Sequence, residues 1–108
     1  MTRGGVTRGP EIRFLSPTPE TGFIGSPLDI KLQFTAHGGA KIDRDSILIT
    51  YKKLPPIDMT QRLKRFTTSQ GIEVRAAELP PGVHRFRIEV SDSDGRTTTD
   101  FLIINVER

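Results

Sequence analysis

The 108-residue chain has no cysteine, no tryptophan and a single tyrosine. Without thiols it cannot build a disulfide framework, a thiolate zinc site or a cysteine nucleophile. With so few large aromatics, its core must be aliphatic, supplemented by the six Phe. No apolar run approaches the ~18 residues that a membrane-spanning helix needs. Met1-Thr2-Arg3-Gly4-Gly5 lacks the apolar centre of a signal peptide. No segment sustains a helical period, and no internal repeat is present. Charge is not extreme either: the net value of +3 argues for solubility and not, by itself, for nucleic-acid binding. What remains is room for one domain. A chain of this size buries roughly two thirds of its unfolded surface, enough for a single core.

The positive signals are those of strands. Residues 1–9 are glycine-rich and aperiodic and read as a flexible tail, so the domain is expected over 10–108. Pro10 to Leu15 reads as a short edge strand, since neighbouring prolines cannot donate to a ladder. In the turn-rich connection that follows, Thr18 to Gly22 (TPETG) differs by one residue from the LPxTG sorting signal. It lies neither near the C-terminus nor before an apolar segment, and is read as coincidence. From Leu28 to Thr35 the chain alternates, with Leu28, Ile30, Leu32 and Phe34 on one face, as in a central strand. Ser46 to Lys52 is β-branched and aromatic, with Ile47, Ile49 and Tyr51 inward and Leu48 outward. Ile57 to Gln70 fits neither period and reads as an irregular excursion with one short strand around Leu63 to Thr67. Gly71 to Ala77 resumes alternation, with Ile72, Val74 and Ala76 inward.

The clearest stretch closes the chain. Leu79-Pro80-Pro81-Gly82 is a stop, after which Phe86, Ile88 and Val90 alternate with Arg85, Arg87 and Glu89, and Phe86 and Ile88 are expected to be buried in one cluster with Phe34, Ile49 and Val74. Asp92-Ser93-Asp94-Gly95 then reverses the chain, because Asp and Ser bond their own backbone and Gly tolerates positive φ. Thr97 to Val106 forms the second arm of this hairpin, with Leu102, Ile104 and Val106 inward if the alternation continues to the chain end; a turn longer or shorter by one residue would swap the faces. Phe101 to Ile104 is apolar on both faces, so one face carries surplus hydrophobicity, either covered or left as a contact patch.

Turn signals every 8–14 residues without helices predict an all-β fold, a two-sheet antiparallel β-sandwich of about seven strands. The segments Ile42-Asp43-Arg44-Asp45-Ser46-Ile47, Leu79-Pro80-Pro81-Gly82-Val83-His84 and Val90-Ser91-Asp92-Ser93-Asp94-Gly95-Arg96-Thr97 resemble the bacterial immunoglobulin-like, cadherin-like domains of secreted and surface proteins. That resemblance covers about residues 10 to 108. It implies an immunoglobulin-like sandwich, a place outside the cell or in its envelope within a larger secreted chain, and work as a spacer, an adhesion module or an accessory unit. The Cys…Trp…Cys signature of antibody-type domains is absent.

No catalytic constellation stands out. The only histidines, His37 in a glycine loop and His84 at a strand start, read as structural or surface residues, and no enzyme or cofactor is expected. Asp43, Asp45, Asp92 and Asp94 form two Asp-x-Asp pairs in loops, the residues a hard cation such as Ca²⁺ would use. Ile42 to Asp45 resembles the calcium-binding LDRE motif of cadherins, but the DxNDN linker is missing. Asp in turns bonds backbone without any metal, and no metal site is expected. Lys52, Lys53, Arg62, Lys64 and Arg65 face the single carboxylate of Asp58 between residues 52 and 66. These five are the candidate contact for an anionic partner: a polyanionic carbohydrate, a membrane headgroup or nucleic acid. Of these, nucleic acid is not expected, because only Tyr51 and Phe66 lie near enough to stack bases. The domain is read as a monomer whose partners are other domains of its own chain, a protein or a glycan.

Overall fold

The computed structural model describes residues 9–18 and 21–108. The expected tail therefore lies outside the described residues except for Gly9, as do Pro19 and Glu20 of the TPETG stretch. Nine strands lie among the described residues: β1 (Glu11–Ser16), β2 (Phe23–Ile24), β3 (Leu28–Thr35), β4 (Ile42–Tyr51), β5 (Ile57–Asp58), β6 (Thr67–Thr68), β7 (Gly71–Ala77), β8 (Gly82–Asp92) and β9 (Thr97–Val106). They form two sheets, ordered β1-β3-β7-β6 and β2-β9-β8-β4-β5. All pairings are antiparallel except β2 with β9. No helix among the described residues is long and apolar enough to cross a membrane.

Alternation decides which face each strand buries. Ile12 from β1, Leu28, Leu32 and Phe34 from β3, and Ile72 from β7 meet Ile47, Ile49, Ile88, Val90, Leu102, Ile104 and Val106 from the other sheet in one apolar cluster. As expected, β3 is central, β1 is an edge, and Leu48 points outward while Ile47 and Ile49 point in. The β8–β9 hairpin runs unbroken from Gly82 opposite Val106 to Ser91 opposite Thr97. This register buries Leu102, Ile104 and Val106 and leaves Phe101 and Ile103 outside.

Three readings are corrected. Ala76, expected inward, is exposed: it sits at φ 54°, and its N–H donates to Asp29 Oδ1 at 2.9 Å. The register between β3 and β7 shifts there, Leu28 facing Ala77 and Ile30 facing Val74, so one extra residue bulges out of β7 and turns the alternation over. The short strand expected around Leu63 to Thr67 lies at Thr67–Thr68, behind a 3₁₀ turn over Lys64–Phe66. Finally, Val74 and Phe86, expected in the buried cluster with Phe34, Ile49 and Ile88, are only partly buried and pack against it. The cause is coverage: β6 pairs with Gly71 and Ile72 alone, so among the described residues the end of β7 that holds Val74 has no strand beyond it.

Candidate functional site

The five expected cations do not form one patch. Lys52 and Lys53 leave the end of β4, where the Lys52 N–H donates to Arg85 O at 2.8 Å. Lys64 and Arg65 sit in the 3₁₀ turn at the opposite end of that strand. There Arg44 donates through Nη2 to Lys64 O at 3.3 Å and through Nε to Thr67 O at 3.0 Å. Arg44 and Lys52 are eight positions apart along an extended chain, or about 26 Å at strand rise. Arg62 is exposed on the segment between. The Arg65 guanidinium lies 5.8 Å from the Phe66 ring centre.

Strand pairing builds a different cluster. Arg85 and Arg87 alternate with the partly buried Phe86 and the buried Ile88 on β8, so they project from the outer face of the five-stranded sheet. Register places Thr50 and Phe101 on either side of Arg87, and Ile103 beside Arg85. Lys52, Lys53, Arg85 and Arg87 then line a shallow groove with Thr50, Leu54 and Pro56. The Lys52 ammonium stands over the Phe101 ring at 5.1 Å from its centre, close enough for cation–π attraction. Arg87 pairs with Glu89 at 2.9 Å, while among the described residues Lys52, Lys53 and Arg85 have no carboxylate partner. Apolar residues share the face: Phe101 is 47% exposed, Ile103 52%, and Leu54, on the rim of the groove, 94%.

Sequence reading missed Arg85 and Arg87, which carried only the signal of a wet strand face. The two-sided hydrophobicity of Phe101 to Ile104 did point here, since Phe101 and Ile103 are the apolar half of the patch.

The aspartates serve turns. The Asp92 side chain is fully buried. Its Oδ1 accepts the N–H groups of Asp94 and Arg96 at 2.9 and 3.0 Å, and its Oδ2 accepts Arg96 Nε at 2.9 Å. Asp94 binds the same guanidinium at 2.8 Å, and Asp43 Oδ1 accepts the Asp45 N–H at 3.1 Å. Pairing brings Asp43 opposite Ser91 and Ile42 opposite Asp92, yet no group of three His, Asp or Glu able to hold a metal converges among the described residues.

Burial pushes the Asp92 carboxyl up, and donation from the Arg96 amide, the Arg96 guanidinium and the Asp94 amide outweighs it, leaving its pKa below the usual carboxylate range. A lowered folded pKa means that this group stabilises the fold above its unfolded value of about 3.9, and that the contribution disappears as pH falls through the folded value. Urea midpoints measured from about pH 6 to pH 2 should therefore drop at the acid end. Asp92→Asn should lower the midpoint at neutral pH and flatten that acid limb. An acid limb as steep as in the wild type would assign the titration elsewhere. Asp58, exposed and lowered by its side-chain and backbone bonds from Thr60, is the control, with a smaller effect expected for Asp58→Asn.

His84 is buried, with Nε2 2.8 Å from Pro80 O and Nδ1 2.9 Å from Tyr51 Oη. A carbonyl only accepts, so Nε2 carries the proton and Nδ1 accepts from the tyrosine. The ring thus fastens the turn before β8 to the end of β4. His37 is half-buried beside Glu11, its Nε2 3.8 Å from Oε1, and its carbonyl accepts Arg96 Nη2 at 3.5 Å. No family model, curated protein or solved structure matches the chain.

Proposed function

We propose that the chain is a non-catalytic immunoglobulin-like module of a larger bacterial secreted or envelope protein, and that it binds an acidic protein surface through the outer face of its five-stranded sheet. The strand orders support the immunoglobulin-like part of this reading. In such domains a four-stranded A-B-E-D sheet packs against one built on G-F-C, and β1-β3-β7-β6 with β9-β8-β4 follow that order. The observation that carries the interaction role is the exposure of Phe101 and Ile103 next to Lys52 and Arg85. A plain spacer has no use for a large apolar side chain on an open sheet face, whereas aromatic and Arg side chains are enriched where proteins meet.

Retention on polyglutamate-coupled and heparin-coupled resins tests the reading and separates an acidic protein surface from a glycan. Arg85→Glu/Arg87→Glu should lose retention on polyglutamate, while Lys64→Glu/Arg65→Glu, at the far end of β4, should elute close to wild type. Retention should weaken steeply between low and physiological salt, where exposed charges are screened over roughly 8–10 Å. Equal elution of wild type and Arg85→Glu/Arg87→Glu would return the face to a solubilising role. Retention on heparin alone would favour an accessory module for anionic carbohydrate.

A further inference from the structure

Between the sheets, at the end where β6 no longer flanks β7, lies a pocket of about 120 Å³ that opens to solvent on one side. Every side chain lining it is apolar. Ile72 and Val74 come from one sheet, Ile49 and Phe86 from the other, and Met59 and Leu63 from the segment between β5 and β6. Ile49 and Ile72 are each only 3% exposed, so the deep wall belongs to the desolvated core. Val74, Phe86, Met59 and Leu63 are partly buried and form the rim.

A water molecule inside would need two to four polar partners, and these walls offer none. An enclosed cavity of about 150 Å³ lined by Leu, Ile and Phe accepts benzene or xenon, and this pocket offers the same wall chemistry with one side open. We infer that this cavity is a binding site for one small, neutral, apolar group, of the size of an aromatic ring or a short alkyl chain.

The rim is built to admit such a group. The backbone of Met59 is held by its N–H bond to Ile49 O at 2.8 Å, and Leu63 N–H closes a single turn onto Met59 O at 3.0 Å. The main chain at the rim is thus fixed, and Met is the most adaptable of apolar side chains. Charged and polar ligands are excluded, since nothing inside would replace their hydration. The site is also independent of the outer face, because Phe86 points inward while Arg85 and Arg87 flank it on the opposite side of β8.

Benzene is the probe. Titrated into the wild-type protein, it should shift the methyl resonances of Ile49, Met59, Ile72 and Val74 saturably and raise the Tm with concentration, because binding to the native state stabilises it by mass action. Pyridine, a ring of the same size with a polar nitrogen, should bind at least about tenfold more weakly, as burying an unpaired polar group predicts. Val74→Phe, which places a ring in the cavity, should keep a cooperative melt and lose benzene binding by a similar factor. The pyridine comparison needs no variant and decides the matter if Val74→Phe does not fold. Absence of saturable shifts up to the solubility of benzene, equal binding of pyridine, or undiminished binding by folded Val74→Phe would each overturn the assignment.

Discussion

Ile88→Ala is expected to lower the free energy of unfolding by about 2–5 kcal/mol, the range for truncating a fully buried branched side chain. Ile88 is 2% exposed, lies opposite Ile49 in the β4–β8 ladder, and sits in the middle of the cluster shared by both sheets. Its neighbours cannot collapse into the space, because strands on either side hold the backbone in register. A domain of this size has a total stability of roughly 5–15 kcal/mol, so the loss is a large fraction of it. Arg87→Ala, one residue away and on the wet face, should cost no more than about 1 kcal/mol, since its partner Glu89 is a surface ion pair. Phe86→Ala should fall below the roughly 3–5 kcal/mol of a buried phenylalanine, for the ring is partly exposed and stacked on Tyr51 at 5.1 Å. Urea melts of the three variants order the series. An arginine loss as large as that of Ile88 would mean that β8 faces the other way.

That ordering is legible in the sequence because its signals are local. Alternation in β3 and β8 assigns their faces without knowledge of any partner, whereas β9, apolar on both faces, takes its facing from the hairpin register. Asp92 to Gly95 likewise carries its own turn chemistry, Asp92 bonding residues two and four positions on. Legibility ends where a distant group decides. Ala76 turns outward because Asp29, on a neighbouring strand, holds its N–H. Met59 and Leu63 enter the core although their spacing fits no period, because the segment that carries them crosses the open side between the sheets.

The cations show the same limit in reverse. Lys52, Lys53, Lys64 and Arg65 are neighbours in sequence, and β4 holds them apart by its own length. Arg85 and Arg87 lie far from Lys52 along the chain, and the β4–β8 ladder makes them its neighbours. Clusters counted along a β chain are therefore poor guides to surface patches, because pairing and not proximity in sequence decides which side chains share a face.

Gly71→Ala is expected to be the most damaging single substitution of those considered, on the order of 4 kcal/mol or more, at the top of the range seen for point changes. Gly71 opens β7, is buried, and faces Gln33 on β3 and Thr68 on β6. A Cβ there would collide with the Leu32 carbonyl oxygen and stand 3.0 Å from its carbonyl carbon and 3.1 Å from Gln33 Cα. All three atoms are backbone, so no rotamer change relieves the clash, and β7 must move off β3. That movement would strip the ladder from Ile72, whose side chain fills the core between the sheets. Gly39→Ala is the comparison, since Gly39 has positive φ but open space where its Cβ would go. It should cost about 1–2 kcal/mol, the strain of a left-handed residue alone. Circular dichroism and urea melts of both variants measure the difference. A Gly71→Ala protein that melts cooperatively within about 1 kcal/mol of wild type would be incompatible with the close approach of β7 to β3, and with the Gln33–Gly71 register that brings it about.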